Sequence, residues 1–98
     1  MDHQIRISKS HFHIYILQSE VDGTFYVGYT ADVEKRLKQH NAGRSTYTNK
    51  HRPYRLIYTE TFIAKMDAKN RERYIKKYGN IRGFLKSRVP PRIHNSGD

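Results

Sequence analysis

The 98-residue chain has length for one domain and one small core. It carries 19 Lys+Arg against 9 Asp+Glu and no cysteine; the net charge of +10 points to a polyanionic partner, and disulfides and thiolate metal sites are excluded. No apolar run approaches the roughly 18 residues of a membrane span, and the opening MDHQIRISKS lacks the apolar stretch of a signal peptide, so a cytoplasmic protein is expected. The cations are spread through every segment rather than along one amphipathic helix, which ranks a membrane surface below nucleic acid as partner. With only 36% hydrophobic residues, the eight tyrosines and four phenylalanines must supply much of the buried area.

Residues 1–11 read as a loose polar arm. Phe12 to Ser19 is rich in β-branched and aromatic residues and predicts a strand; Asp22-Gly23 suits a tight hairpin turn, and Thr24 to Tyr29 returns. A two-residue loop pairs Ser19 with Tyr26 and Leu17 with Gly28. It places Tyr15, Leu17, Ser19, Tyr26 and Gly28 on one face and Ile14, Ile16, Val27 and Tyr29 on the other. A three-residue loop would separate the two tyrosines, so this reading depends on the turn.

Thr30 or Asp32 can cap a helix running to Asn41 and stopping at Gly43. Val33, Arg36, Leu37 and His40 share one stripe of it, so two polar residues lie where apolar ones are expected. Arg44 to Pro53 is a basic polar loop, and Tyr54 to Phe62 a third strand opened by Pro53. Ile63 to Tyr78 predicts the longest helix, ended by Gly79, with Glu72 on its Ala68–Ile75 stripe; Ile81 to Arg88 is a short final helix, and residues 89–98 a disordered tail. The expected fold is α+β: ββαβα plus a C-terminal helix, a small three-stranded antiparallel sheet flanked by helices, in one domain over 12–88.

Phosphodiester hydrolysis needs a group to activate water, a cation for the developing charge, and a metal or basic group at the leaving oxygen. Tyr15 and Tyr26 could hold or deprotonate water, Arg36 offers a permanent fork to phosphate, His40 could share proton transfer, and Glu72 could bind a hard divalent ion. Taken singly, each has a plainer reading: packing tyrosines, a surface arginine, a histidine suited to a helix end, and a glutamate paired with Arg71, Arg73 or Lys76. One shared cleft explains them together. His11-x-His13 lacks a third ligand and weighs little as a metal site. Arg44, Lys50, His51 and Arg52 with Tyr47 and Tyr54 mix cations with aromatics, as single-strand or backbone contacts do, or else form a solvated loop.

The segments HIY and YVG, then RLKQHN, then AKNRERYIKKYGN resemble the GIY-YIG nuclease superfamily, in particular small stand-alone members similar to the N-terminal domain of the bacterial excinuclease C subunit. The similarity spans roughly 12–88, and the tyrosines joined to Arg36-x-x-x-His40-Asn41 and Ala68-x-x-Arg71-Glu72-x-x-Ile75-Lys76 are its specific part. The resemblance implies that Tyr15 belongs to the first tripeptide, while Tyr26 and Gly28 end the second. It further implies that Arg36 stabilises the transition state, His40 assists proton transfer, and Glu72 is the one protein ligand of a Mg²⁺ or Mn²⁺ ion. Tyr26 is favoured as general base, because Gly28 beside it would admit a nucleic-acid backbone. Gly28, Arg44, Lys50, Arg52, Arg71 and Lys76 are expected to contact nucleic acid, with Arg82, Lys86, Arg88 and Arg92 extending that surface. Two positions depart from the pattern: His13 replaces the first glycine, and Asn80, eight residues after Glu72, has no assigned role.

The expected function is metal-dependent DNA endonuclease activity, structure-directed and linked to DNA repair or processing. The alternative is a nucleic-acid-binding domain that does not cut, or cuts only with a protein partner supplying specificity. With no separate reader present in the sequence, recognition is expected to use DNA shape or ends, on branched or single-stranded substrates.

Overall fold

The computed structural model describes residues 11–88. The expected N-terminal arm (apart from His11) and the tail with Arg92 lie outside the described residues. The elements run β1 (Phe12–Ser19), β2 (Phe25–Thr30), α1 (Val33–Asn41), α2 (Thr46–Asn49), β3 (Tyr54–Phe62), α3 (Lys65–Tyr78) and α4 (Ile81–Arg88). The three strands form one antiparallel sheet in the order β2-β1-β3. β1 takes the centre because Ile14, Tyr15, Ile16 and Leu17 bury both of its faces.

The hairpin register differs from the expected one. Leu17 pairs with Tyr26 and Tyr15 with Gly28, a shift of two residues that leaves Glu20–Gly23 as the loop. Ser19 takes over the turn: its Oγ accepts from Val21 N at 3.0 Å and Asp22 N at 3.1 Å and donates to His51 O at 2.6 Å. Because the shift is even, every side chain keeps its predicted face.

A bulge separates Ile16 and Leu17 in their pairing with β3, since Ile16 faces Tyr58 while Leu17 faces Leu56. The extra residue reverses the alternation, so Tyr54 and Tyr58 lie on opposite faces of the sheet. Tyr54 joins Tyr15 and Leu17, packed by Val33 and Leu37 of α1. Tyr58 joins the main core of Ile14, Ile16, Val27, Ala68, Ile75 and Phe84, beneath α3 and α4. The sheet is thus covered on both sides, by α1 on one and by α3 with α4 on the other.

Asp32 caps α1, its Oδ1 accepting from Lys35 N at 3.0 Å. Gly43 and Gly79 supply the left-handed backbone, φ 81° and 77°, beyond the ends of α1 and α3. Asn80 Oδ1 accepts from Gly83 N at 2.9 Å and so caps α4, a structural role for a residue that had none in the sequence. The expected loop Arg44–Pro53 contains the one-turn helix α2, anchored by the completely buried Thr48.

Candidate active site

Alternation along β1 sends Tyr15 to the α1 face, where its hydroxyl lies 3.0 Å from His40 Nε2. His40 Nδ1 lies 2.8 Å from Thr48 Oγ1. All three side chains are buried, with His40 and Thr48 at 0% exposure. Burial, aided by the Arg36 charge, pushes His40 down to about 4, leaving a neutral ring near pH 7. A neutral imidazole donates from one nitrogen and accepts at the other, so Tyr15, His40 and Thr48 form one chain in which each hydrogen bond fixes the next. Both ring nitrogens are thus engaged, Nε2 by the Tyr15 hydroxyl and Nδ1 by that of Thr48.

The two tyrosines are unequal. Burial pushes the Tyr15 phenol up to about 12, opposed by the neighbouring Arg36 guanidinium. Tyr26 is only partly buried; it stands edge-on to His40 at 4.8 Å between centroids and 6.3 Å from Tyr15. Of the pair, Tyr26 is the one that reaches solvent. Arg36, half-buried one turn before His40, donates from Nη1 to Gln39 Oε1 at 2.9 Å.

Gly28 has a packing reason of its own. A Cβ there would lie 2.5 Å from the Tyr15 hydroxyl oxygen and 2.7 Å from its Cζ. The space left by the missing side chain is filled by the Tyr15 ring, so the absence of a Cβ at Gly28 lets that ring lie across the strand. Asn41 is also structural. Its side chain donates to Tyr54 O at 3.1 Å and accepts from Tyr54 N at 2.7 Å, tying the end of α1 to the start of β3.

Glu72 approaches from α3. Ala68 and Ile75 on its stripe are completely buried, while its own side chain is 18% exposed with Oε2 2.8 Å from Lys76 Nζ. Its charge acts on the Tyr15 phenol, raising it. Around the free edge of β2, an open groove of about 500 Å³ joins Lys76 to Tyr26, lined also by Phe25, Val27, Tyr47 and Ile81. Among the described residues no cluster of three or more His, Cys, Asp or Glu could hold a metal. His13 Nδ1 lies 2.9 Å from Thr61 Oγ1 on β3.

The expected nucleic-acid contacts divide. Arg44 and Lys50 are exposed, and Arg44 lines a shallow cleft with Lys35 and Lys38. Arg52 is exposed yet tethered, donating from Nη1 to Asn41 O at 3.2 Å. Arg71 departs from expectation: its Nε and Nη2 donate to Glu60 at 2.7 and 3.1 Å, and its guanidinium lies 5.5 Å from the Phe84 ring. Burial opposes it, yet the Arg71 fork and the Tyr58 hydroxyl hold Glu60 below its ordinary range. Arg71 thus ties α3 to β3. Two residues escaped the sequence reading as members of this site: Thr48, which nothing in the sequence sets apart from Ser45 and Thr46 in the same polar loop, and Tyr47, seen only as one aromatic among loop cations.

Residues 11–82 match the family model described as the GIY-YIG catalytic domain. The chain belongs to the GIY-YIG family. Over 66 residues it is 44% identical to a UPF0213 protein of Halobacterium salinarum, covering 66% of this chain and 84% of that one. Over 71 residues it is 41% identical to the UPF0213 protein YazA of Bacillus subtilis, covering 71% and 70%. A solution NMR structure of a UPF0213 protein from Bacillus halodurans is similar at 32% identity and a TM-score of 0.53, covering 83% of this chain and 88% of that one. The GIY-YIG match contains Tyr15, Tyr26, Arg36, His40 and Glu72, but it ends before Phe84, which completes the core. Membership points to a nuclease with DNA as substrate. Among the described residues no helix is long and apolar enough to cross a membrane.

Proposed function

We propose that the chain is a metal-dependent DNA endonuclease that hydrolyses phosphodiester bonds at the Tyr26 edge of the sheet, acting on DNA structure in repair or processing. The observation that carries this reading is the contrast within the tyrosine pair. One phenol is buried and bonded to His40; the other, beside it, is only partly buried. Tyr26, as the phenolate, takes the proton of an attacking water while the water oxygen bonds to phosphorus; the ester bond to the leaving oxygen breaks, and that oxygen takes up a proton from solvent water. Arg36 pairs with the phosphoryl oxygens as their charge grows. Tyr15, His40 and Thr48 hold the Tyr26 ring in place, and exposed Arg44 and Lys50 attract the backbone.

Glu72 is a hard oxygen donor outside any group of three or more ligating side chains among the described residues, which fits the mode of Mg²⁺ or Mn²⁺ that takes one or two carboxylates and completes its shell with water and phosphate. Glu72 would hold the ion, and such an ion, when bound, polarises a phosphoryl oxygen. Lys76 must then release Oε2 or share it. That same ion pair favours the second reading, a nucleic-acid-binding domain that does not cut alone or needs a protein partner, because an ammonium already neutralises the carboxylate.

Cleavage of labelled plain, branched, flapped and single-stranded DNA with Mg²⁺, Mn²⁺ or EDTA separates the two. The expected result is metal-dependent cutting that Glu72→Gln lowers about hundredfold or more while binding is kept. DNA binding without cutting by the wild type, or equal cutting by the variant, would overturn the catalytic reading.

A further inference from the structure

The groove at the free edge of β2 has features that phosphodiester chemistry does not use. Its floor is apolar, formed by Phe25, Val27 and Ile81 at the margin of the main core. Its wall is Tyr47, a ring 64% exposed on α2, tilted 37° to Tyr26 with centroids 5.8 Å apart. Cations stand at its margins: Lys76 lines it, and the Arg82 guanidinium lies 5.3 Å from the Phe25 ring centroid. Its volume of about 500 Å³ falls within the roughly 300–1,000 Å³ of small-ligand clefts.

We propose that this groove takes one unstacked nucleobase from a single-stranded segment, flap or gap next to the phosphate to be cut. The base stacks on Tyr47 above the apolar floor, and the flanking phosphates lie against Lys76 and Arg82. Two observations select this occupant: aromatic walls with cationic margins match a base attached to phosphates, and Tyr26 belongs to both groove and candidate site. A base paired within a duplex cannot offer its face, so the groove discriminates opened DNA from plain duplex.

The proposal rests on the nuclease reading only for where the cut phosphate lies, and it is tested where nothing is cut. Affinities of wild type, Tyr47→Ala and Tyr47→Phe are measured in EDTA for labelled oligothymidylate, a flapped duplex and a plain duplex. Tyr47→Ala is expected to weaken the first two about five- to hundredfold and plain duplex less than about twofold, with Tyr47→Phe near wild type. No loss on single strand and flap, or equal loss on all three DNAs, would overturn it; melting temperatures confirm that each variant is folded. If this selectivity holds while wild type never cuts with metal, the base site stands and the nuclease reading falls. If metal-dependent cutting is seen without the selectivity, the reverse is concluded.

Discussion

The two faces of the sheet are built from alternate residues of the same strand, yet they obey different rules. Ile14 and Ile16 face α3 and α4 in a core whose buried members carry almost no polar side-chain atoms beyond the rim network of Tyr58, Glu60 and Arg71. Tyr15 faces α1 and α2, where His40 and Thr48 are as completely buried as any isoleucine. Apolar packing is non-directional and accommodates changes of shape, whereas a buried polar chain must satisfy each donor and acceptor with one geometry. Among the described residues no buried side-chain nitrogen or oxygen lacks a hydrogen-bond partner. The interior of the α3–α4 face therefore supplies stability, with Glu72 and Lys76 at its rim, and the α1–α2 face spends part of its burial on a polar chain beside Tyr26.

The comparison is broken most forcefully from the core side. Phe84 is completely buried and contacts Tyr58 and Tyr78 edge-on at 5.8 and 5.6 Å. Phe84→Ala is expected to cost about 3–5 kcal/mol in urea unfolding. At temperatures where the variant remains folded, its cleavage rate per folded molecule should match wild type. A specific rate that drops with the core truncation would mean that the faces are not separable.

A smaller effect belongs to the polar face. His40 falls from 6.5 to about 4 on folding, so its protonation favours the unfolded chain. Its contribution is fully present above pH 6.5, declines as pH falls towards about 4, and is flat below, a loss on the order of 3 kcal/mol. Chemical unfolding from pH 7.5 to 4, compared with His40→Gln, should show that slope in wild type and its disappearance in the variant. Equal slopes would place the charged imidazole comfortably in the fold and undo the neutral chain.

Much of this division was legible in the sequence. Alternation put Tyr15 and Tyr26 on one face, and an even register shift preserved that result although the turn was longer than expected. Helical spacing brought Arg36 and His40 onto the stripe facing them and placed Glu72 between buried Ala68 and Ile75. Less local features were hidden. The bulge that parts Tyr54 from Tyr58 depends on how β3 meets β1. The Arg71–Glu60 pair joins two different elements, so a basic residue in a basic helix gave no sign that its fork was taken. Thr48 becomes meaningful only once α2 folds over His40, and Gly28 only once the Tyr15 ring lies across it.

Tyr26→Phe tests the central claim most directly, because it removes one hydroxyl from a partly buried residue and keeps the ring against His40. Single-turnover cleavage with Mg²⁺, DNA affinity in EDTA and melting temperature would be measured on the same preparation. The account predicts a loss in rate of about 10²–10⁴-fold, with affinity and melting temperature close to wild type. Cutting at the wild-type rate would contradict it and remove Tyr26 from the chemistry.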